Sequence, residues 1–564
     1  MKAKKIYSVF LVLVLTTAAW SKVIIYKIPP TAKASKMFQV KVDGKPVFVE
    51  ELPVTKEDVY YDFKGADELN YHCVRFAFDK SVRLNVIFNG DLKDFLLMPS
   101  GISAERKGST VRFTLKKPRN LLFKVRSSWL YIFADPPESD VPLLEKTIVP
   151  GVRGKVPKFY IDRNMKKIIN VRDYRVDTTG RKLCTKQIQR AIIDAAVGPY
   201  PGGIVYVPPG VYKIGQLRLY SGVTLYLQDG ALLQGSQDPA DYPLPFGLQG
   251  GTPKRDFGYD YALIRVHDCD NVTICGRGTI DAGGQANGRL KIIHMQNSKH
   301  ITVKDIVLRN TTGWMFPILY CEDILVQNIR LFSPITANTD GINPDCSVDV
   351  TLNGNFIVTG DDAVAVKATN FGKHIRDEIR DIRIINNVML TMKSALKIGT
   401  ETQARLIHDI LFENNDVLLS DRAFTIYLRD GALVDRVIFR NNRVEMAGGL
   451  RDDKNRIVEI NISTRGDDIW RTPDFSYKED HPGQIRFVLF ENTSVNTKES
   501  LYLSTSKISG FDESNNVRNI TFRNFRVNGN KIKNPADMIS FGKDTKKTPF
   551  LSVDQETTEN IQFE

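Results

Sequence analysis

The sequence predicts an all-β protein, a small β-sandwich-like domain followed by a parallel β-helix. Three observations support this fold class. A strand pattern recurs every 20–30 residues over the last two thirds of the chain. A segment rich in Pro and Gly separates that region from a first one in which alternating stretches end at turn residues. Helical periodicity is confined to one short segment.

Length and composition set the outer limits. The chain has 564 residues, and its 42% hydrophobic and 25% charged residues exclude a wholly disordered protein. The formal net charge of +13 favours anionic surroundings or anionic polymers as partners.

Residues 1–21 are expected to be a secretory signal peptide. Three lysines among the first five residues precede an apolar run from Ile6 to Leu15, and Ala19-Trp20-Ser21 resembles a cleavage site. An uncleaved anchor is disfavoured because a spanning helix needs ~20 apolar residues. Cleavage would remove three lysines, leave a net charge of +10 and give a secreted or periplasmic protein.

The six cysteines are scattered and show neither a disulfide framework nor metal-ligand spacing. Buried free thiols are expected, with a Cys269–Cys275 bridge left open. The seven histidines never pair at ligand spacing, so we expect no metal and no cofactor.

Residues 22–157 are predicted to form the N-terminal domain. Stretches such as Phe38 to Val42 and Leu84 to Phe88 alternate apolar and polar residues and end at Asp43-Gly44 and Asn89-Gly90. The Pro- and Gly-rich exit from this region places a boundary near residue 157.

Residues 158–564 are predicted to form the β-helix. Related strand motifs start at residues 272, 301, 324, 350, 382, 410, 437, 488 and 520, and most are closed by Asn. The spacing leaves no room for a crossover helix in each repeat, and it is shorter than the ~40–50 residues of a propeller blade. Asparagines at matching positions are expected to stack as hydrogen-bonded ladders at the bends.

Two further segments belong to this architecture. Lys186 to Ala196 is amphipathic and is expected to be a helix that caps the first coil. Residues 452–484 interrupt the period and are expected to be a loop over the groove.

Carboxylates recur about one coil apart. Asp340 precedes the Asp361-Asp362 pair by 21 and 22 residues, and Gly360 suggests a bend that turns both members of the pair toward one groove. Clustered acids separate a proton donor from a base, as glycoside hydrolysis requires. The acids could instead be solvated bends, because Asp-Gly and Gly-Asp are common turn signals.

The stretch NTDGINPDCSVDVTLNGNFIVTGDDAVAVKA resembles the central signature of glycoside hydrolase family 28, the polygalacturonases. The likeness extends over roughly residues 170–450. It implies a right-handed, pectin-lyase-like β-helix with Asp361 as general acid. It also implies that Asp340 and Asp362 activate a water molecule, with inversion at the anomeric carbon.

The chain departs from the family pattern at two positions. The family histidine falls on Ser394, and the family Arg-Ile-Lys falls on Tyr427-Leu428-Arg429. Cationic side chains in the same coils are candidates to replace the lost contacts to an anionic sugar. The predicted substrate-binding residues are Asn338, Lys367, Lys393, Lys397, Tyr427 and Arg429.

The favoured function is hydrolysis of a pectic or other acidic polysaccharide by a monomer, with no nucleic acid or membrane partner after signal cleavage. A weaker resemblance of the N-terminal domain to that of family 49 dextranases keeps a neutral α-glucan open as substrate. Two more functions fit a β-helix of this kind: a lyase or epimerase, and a non-catalytic solenoid that binds glycans.

Overall fold

The structure is a computed structural model. It describes residues 22–52, 70–139, 141–142, 148–149, 159–161, 167–197, 202–242, 262–284, 290–334, 338–369, 376–448, 455–464, 482–500, 502–543 and 545–564. The predicted signal peptide and the predicted boundary at residue 157 lie outside the described residues and stay predictions. No helix within the described ranges is both long and apolar enough to cross a membrane.

The N-terminal domain is a sandwich of two sheets around one apolar core. Its strands alternate buried and exposed residues, as in Phe38–Val42, and the predicted Asp43-Gly44 turn has positive φ angles of 47° and 80°. The larger sheet contains Val23–Ile25, Lys33–Ala34, Val49–Glu51, Asn70–Phe78, Leu96–Met98, Arg119–Val125 and Ser128–Asp135. The smaller contains Phe38–Val42, Lys45–Val47, Val82–Phe88, Ala104–Lys107 and Thr110–Leu115.

Three long sheets form the β-helix, and we number them in the order in which the chain visits them. Their strands are parallel except at the two ends. Sheet 1 contains Ile148–Val149, Phe159–Ile161, Lys167–Asn170, Ile204–Val207, Thr224–Leu227, Asp270–Gly276, Lys299–Lys304, Glu322–Gln327, Val348–Asn353, Glu378–Ile385, Leu406–Glu413, Leu433–Arg440, Gln484–Glu491, Val517–Arg523 and Thr558–Phe563.

Sheet 2 contains Thr179–Leu183, Gly210–Ile214, Ala231–Gly235, Thr279–Asp281, Val307–Arg309, Arg330–Ser333, Phe356–Thr359, Val388–Thr391, Asp416–Leu419, Arg443–Val444, Ser494–Val495, Arg526–Val527 and Asn530–Lys531. Sheet 3 contains Leu217–Arg218, Ala262–His267, Lys291–Gln296, Phe316–Leu319, Ile342–Asp345, Val364–Ala368, Ser394–Thr402, Arg422–Leu428, Arg456–Ile462, Ser506–Ser509 and Leu551–Val553. A small hairpin pairs Met538–Phe541 with Lys546–Pro549.

The predicted fold class is confirmed, and the repeat motifs explain it. All nine motifs start within consecutive strands of sheet 1, from Asp270–Gly276 to Val517–Arg523. Inside the solenoid, five phenylalanines of this sheet stack ring on ring at centroid separations of 4.6–4.9 Å. These are Phe412, Phe439, Phe490, Phe522 and Phe563.

The predicted asparagine ladders are confirmed at the bend between sheets 1 and 2. An inner ladder joins four buried side chains through amide hydrogen bonds of 2.9–3.0 Å, and its members are Asn355, Asn387, Asn415 and Asn442. An outer ladder joins Asn353, Asn386 and Asn414 at the surface. Asn386 and Asn414 have positive φ angles of 59° and 55°, which Asn tolerates better than other non-glycine residues.

The predicted capping helix is confirmed as Thr185–Ala196, with Ile188, Ala191, Ile192 and Ala195 buried. The prediction of a loop over residues 452–484 is wrong in part. Arg456–Ile462 is a regular strand of sheet 3, and residues 452–454 and 465–481 fall outside the described residues. A long insertion within one coil broke the period and hid the strand that precedes it.

The two domains pack together through sheet 2. Aromatic side chains of the N-terminal domain contact apolar residues of the solenoid, and Tyr131 lies edge-on to Phe332 and Phe356. Among the described residues, three ion pairs also join the two domains: Arg330 and Arg277 each with Asp135, and Arg309 with the partly buried Glu50. All six cysteines are buried free thiols.

Candidate active site

The three predicted acids come together where two successive coils pass from sheet 2 into sheet 3. Asp340 precedes the strand Ile342–Asp345, and the Asp361-Asp362 pair precedes Val364–Ala368. An oxygen of each carboxylate lies within 4.8 Å of an oxygen of the other two. The one-coil spacing of the acids in the sequence therefore predicts a real cluster.

Backbone hydrogen bonding between these two coils determines how closely they approach each other. The Gly341 N–H donates to the Asp362 carbonyl at 2.8 Å. A Cβ atom at Gly341 would lie only 2.3 Å from the Ala363 carbonyl oxygen. Glycine is thus required next to Asp340 because the neighbouring coil passes too close for any side chain.

Asp340 is buried against a lysine. Its Oδ2 accepts from Asn343 Nδ2 at 2.9 Å and lies 3.1 Å from Lys367 Nζ. Burial raises the pKa of Asp340 to about 7, despite the opposing Lys367 charge. A carboxyl group in this range can exchange a proton near neutral pH.

Asp361 is held by backbone groups. Its Oδ2 accepts from the Asn338 N–H at 2.9 Å and its Oδ1 from the Asp362 N–H at 3.0 Å. Among the described residues, no cation lies within ion-pair distance of this carboxylate. Burial and the adjacent Asp362 charge raise the pKa of Asp361, which favours its protonated form.

Asp362 lies in the opposite electrostatic environment. Its Oδ2 accepts from Lys397 Nζ at 2.5 Å, and its Oδ1 accepts from the Ser394 N–H at 3.0 Å. Burial opposes ionisation, but the Lys397 and Lys367 charges outweigh it and lower the pKa of Asp362. The pKa values of these neighbouring acids are therefore shifted in opposite directions, the condition for separating an acid from a base.

The predicted substrate-binding residues surround this cluster. Asn338 binds Asp361 through its backbone, and the Lys393 charge acts on the same carboxylate. Lys397 Nζ and the Arg429 guanidinium both lie 5.6 Å from the centre of the Tyr427 ring. Their roles in substrate binding stay predictions.

Lys367 and Lys397 are both bound to acids of the cluster. Lys367 Nζ contacts Glu401 Oε2 at 3.0 Å as well as Asp340, and it lies 4.0 Å from the centre of the Trp314 ring. At least one face of the Trp314 ring is therefore taken by this ammonium group and is not open to a sugar.

Sequence reasoning missed four polar residues at the site, Asn343, Glu401, Arg422 and Glu459. Arg422 Nε donates to Ser394 Oγ at 3.1 Å, in the coil position where the family has a histidine. Glu459, from the strand hidden by the insertion, accepts from the Tyr427 hydroxyl and from Arg456. Arg422 could have been found only from the strand register, which pairs it with Ser394.

His408 lies on a different sheet from this cluster. It belongs to the sheet 1 strand Leu406–Glu413 and contacts Glu378 and Asp409 at 2.7 and 2.6 Å.

Fold and site together define a class of protein: a parallel β-helix with an N-terminal β-sandwich and a carboxylate cluster where the chain passes from sheet 2 into sheet 3. Comparison with known proteins is consistent with this class. Residues 205–442 match the model of glycosyl hydrolases family 28. The resemblance stated from the sequence is thereby confirmed over that region.

Curated relatives are similar to parts of this chain. A probable polygalacturonase of Vitis vinifera is 34% identical over 205 residues, which cover 34% of this chain and 42% of that protein. An exo-poly-alpha-D-galacturonosidase of Dickeya chrysanthemi is 24% identical over 314 residues, covering 45% of this chain and 51% of that protein. The chain thus spans about half the length of the curated relatives it matches.

Solved structures are similar in fold over both domains. The family 28 exopolygalacturonase of Yersinia enterocolitica superposes with a TM-score of 0.55 at 19% identity, covering 96% of each chain. Dex49A from Penicillium minioluteum gives 0.58 at 12% identity, again over 96% of each chain. The second match agrees with the family 49 resemblance predicted for the N-terminal domain.

Proposed function

We propose that the protein is a glycoside hydrolase that cleaves an acidic polysaccharide, with a pectic glycan as the favoured substrate. The observation that carries the proposal is the three-carboxylate cluster with unequal electrostatic environments. Asp361, whose pKa is raised, has no ion-pair partner among the described residues, whereas Asp362 is bound by Lys397. Such a pair supplies one proton donor and one anion at a single site.

In the proposed mechanism, Asp361 protonates the glycosidic oxygen as the bond to the anomeric carbon breaks. Asp340 and Asp362 hold a water molecule, and Asp340 takes its proton as the water attacks the opposite face of the sugar. The pKa of Asp340 near 7 suits a group that must bind and release a proton in neutral solution.

The distance between the acids makes the stereochemistry at the anomeric carbon a direct test of the proposed mechanism. Carboxylate oxygens within 4.8 Å of one another are closer than the ~6.5–9.5 Å usual for inverting enzymes. We nevertheless expect inversion, because both oxygens of Asp362 are already bound by Lys397 and the Ser394 N–H and are poorly placed to attack carbon. Proton NMR of the first-formed anomer decides between inversion and retention.

Sugar contacts are proposed for the side chains that surround the acids. Tyr427 lies on the sheet 3 strand beyond Lys397 and Arg429 directly follows that strand. The Arg429 Nε is buried and has no hydrogen-bond partner among the described residues. A carboxylate or sulfate group of the substrate would satisfy it. We also propose that the protein is an exported monomer, which mass determination of the mature N-terminus and sedimentation would check.

The decisive experiment compares wild type, Asp361→Asn and Asp91→Asn on pectic, sulfated and neutral polysaccharides. Asp91 serves as the control because it is half exposed in the N-terminal domain. We expect new reducing ends from wild type and Asp91→Asn, and a loss of ~10²–10⁴-fold for Asp361→Asn with an unchanged melting temperature.

Each competing function has its own signature in the same assay. An unsaturated product absorbing in the ultraviolet would show a lyase, and cleavage of dextran alone would show a neutral-glucan hydrolase. Binding without new reducing ends on any polysaccharide would overturn the proposal in favour of a glycan-binding solenoid. The cluster needs no metal in this scheme, because two of its three carboxylates already bind ammonium groups.

A further inference from the structure

The charge balance inside the carboxylate cluster assigns a different task to one of the predicted sugar-binding residues. Lys397 Nζ lies 2.5 Å from Asp362 Oδ2, and both side chains are less than one tenth exposed, at 8% and 5%. A buried ammonium group at this distance forms a charge-assisted hydrogen bond with a carboxylate and is not available as a free cation.

The strand register fixes this contact. Lys397 lies in Ser394–Thr402, the strand that also supplies the second hydrogen bond to the same acid, from the Ser394 N–H to Asp362 Oδ1 at 3.0 Å. One strand therefore holds both oxygens of Asp362. The carboxylate is locked in orientation and in charge before any substrate arrives.

The other two acids lack this arrangement. Lys367 divides its charge between Asp340 and Glu401, at 3.1 and 3.0 Å. Asp361 accepts only from backbone N–H groups among its described contacts. Among the described ion pairs of the three acids, the one between Lys397 and Asp362 is not shared with a second carboxylate.

We infer that Lys397 is a positioning residue, which keeps Asp362 ionised and oriented and does not bind the sugar. The inference rests on the proposed hydrolytic function for its kinetic readout. Lys397 acts on the reaction through Asp362, whose negative charge in turn helps Asp361 to keep its proton. The charged groups that bear on Asp362 are Lys397, Lys367, Arg422, Asp361 and Asp340.

The test uses two variants of Lys397. Lys397→Met removes the charge and keeps the bulk of the side chain, and Lys397→Arg keeps a positive charge. Losing the ammonium group raises the pKa of Asp362, since an opposite charge at this distance lowers a carboxyl pKa by ~1–3 units. Because the Lys397 charge also lowers the pKa of Asp340, the proposed base, the acidic limb of the kcat profile should move upward in Lys397→Met. Since pH 5 lies below the pKa of Asp340, each pH unit of that movement lowers kcat about tenfold, so we expect kcat at pH 5 to fall about tenfold or more, KM to change less than about twofold, and Lys397→Arg to recover most of the loss.

Lys507→Met is the matched control. Lys507 follows Lys397 in the same side-chain row of sheet 3, through Thr425 and Glu459, and is exposed. Its kinetics should equal those of wild type. A rise in KM for Lys397→Met with an unmoved acidic limb would overturn the inference and make Lys397 a sugar-binding residue.

A second readout needs no substrate. In wild type the lowered pKa of Asp362 stabilises the fold above the pKa of the unfolded chain. In Lys397→Met the buried, unpaired carboxylate resists ionisation, so the melting temperature should fall relative to wild type as pH rises from 4 to 7. Adding Asp362→Asn should abolish that difference, and a difference that persists would contradict the inference.

If wild type cleaves no polysaccharide, the proposed function fails while this measurement still tests Lys397. If Lys397→Met does not fold, Lys397→Gln, which keeps a hydrogen-bond donor, takes its place in both measurements.

Discussion

The inner asparagine ladder makes a quantitative prediction through Asn415. Its side chain is buried and makes four hydrogen bonds. The amide nitrogen donates to the Ile384 carbonyl at 2.9 Å and to Asn442 Oδ1 at 3.0 Å. The amide oxygen accepts from the backbone N–H and from Nδ2 of Asn387, both at 3.0 Å.

Asn415→Ala removes all four hydrogen bonds. The buried groups that made them cannot form replacement hydrogen bonds with water. A typical hydrogen bond contributes a net ~0.5–1.5 kcal/mol, and an orphaned buried group costs ~1–3 kcal/mol. Because some partners keep a second bond within the ladder, we expect a loss of about 3–5 kcal/mol in the free energy of unfolding. Equilibrium urea unfolding followed by tryptophan fluorescence measures it.

The neighbouring Asn414 is the matched control. It belongs to the outer ladder, is exposed, and donates to Asn386 Oδ1 at 2.6 Å. Its φ of 55° makes glycine the appropriate replacement. We expect Asn414→Gly to cost no more than about 1 kcal/mol, because water replaces the lost partner. If both variants lose the same free energy of unfolding, the buried ladder contributes no more to stability than the exposed one, and the reasoning is refuted.

Two further predictions concern the solenoid core and the acid cluster. Phe490 is fully buried and stacks on Phe439 and Phe522 at 4.8 Å on each side, so Phe490→Ala should lower stability by about 3–5 kcal/mol in urea unfolding. Phe563→Ala, at the half-buried end of the same stack, should cost less than half as much, and equal losses would contradict a role for the stack. Asp340 has a folded pKa of about 7, above its unfolded value, so its contribution to stability is complete in acid and is lost as pH rises toward 7. The melting temperature of wild type should therefore fall more between pH 4 and 7 than that of Asp340→Asn, and parallel curves would show that Asp340 ionises normally.

The repeat period and the acid motifs were readable from the sequence because they depend on local chemistry. Each coil needs β-branched residues for its strands and an Asn at its bend, so the same pattern returns in every coil. Asp340 and the Asp361-Asp362 pair are separated by one coil length, and such residues meet in any stacked solenoid. The capping helix was equally visible, since its buried face repeats at helical spacing.

The partners of the acids were decided only by the tertiary structure. Lys397 lies 35 residues from Asp362 and Lys367 lies 34 from Glu401, and coil length varies with every insertion. The sequence does not state which residues of two such strands come side by side. A shift of one residue would turn Lys397 into the core and remove its contact with Asp362.

By itself, the sequence determined the solenoid, the sandwich before it and the location of three carboxylates, because these follow from periodic patterns and short motifs. Tertiary structure alone decided which carboxylate is paired with a lysine and which has its pKa raised, because pKa shifts depend on burial and on cations a full coil away. It also recovered Arg456–Ile462 as a strand, and with it Glu459, since backbone pairing between coils continues across an insertion that breaks the sequence period.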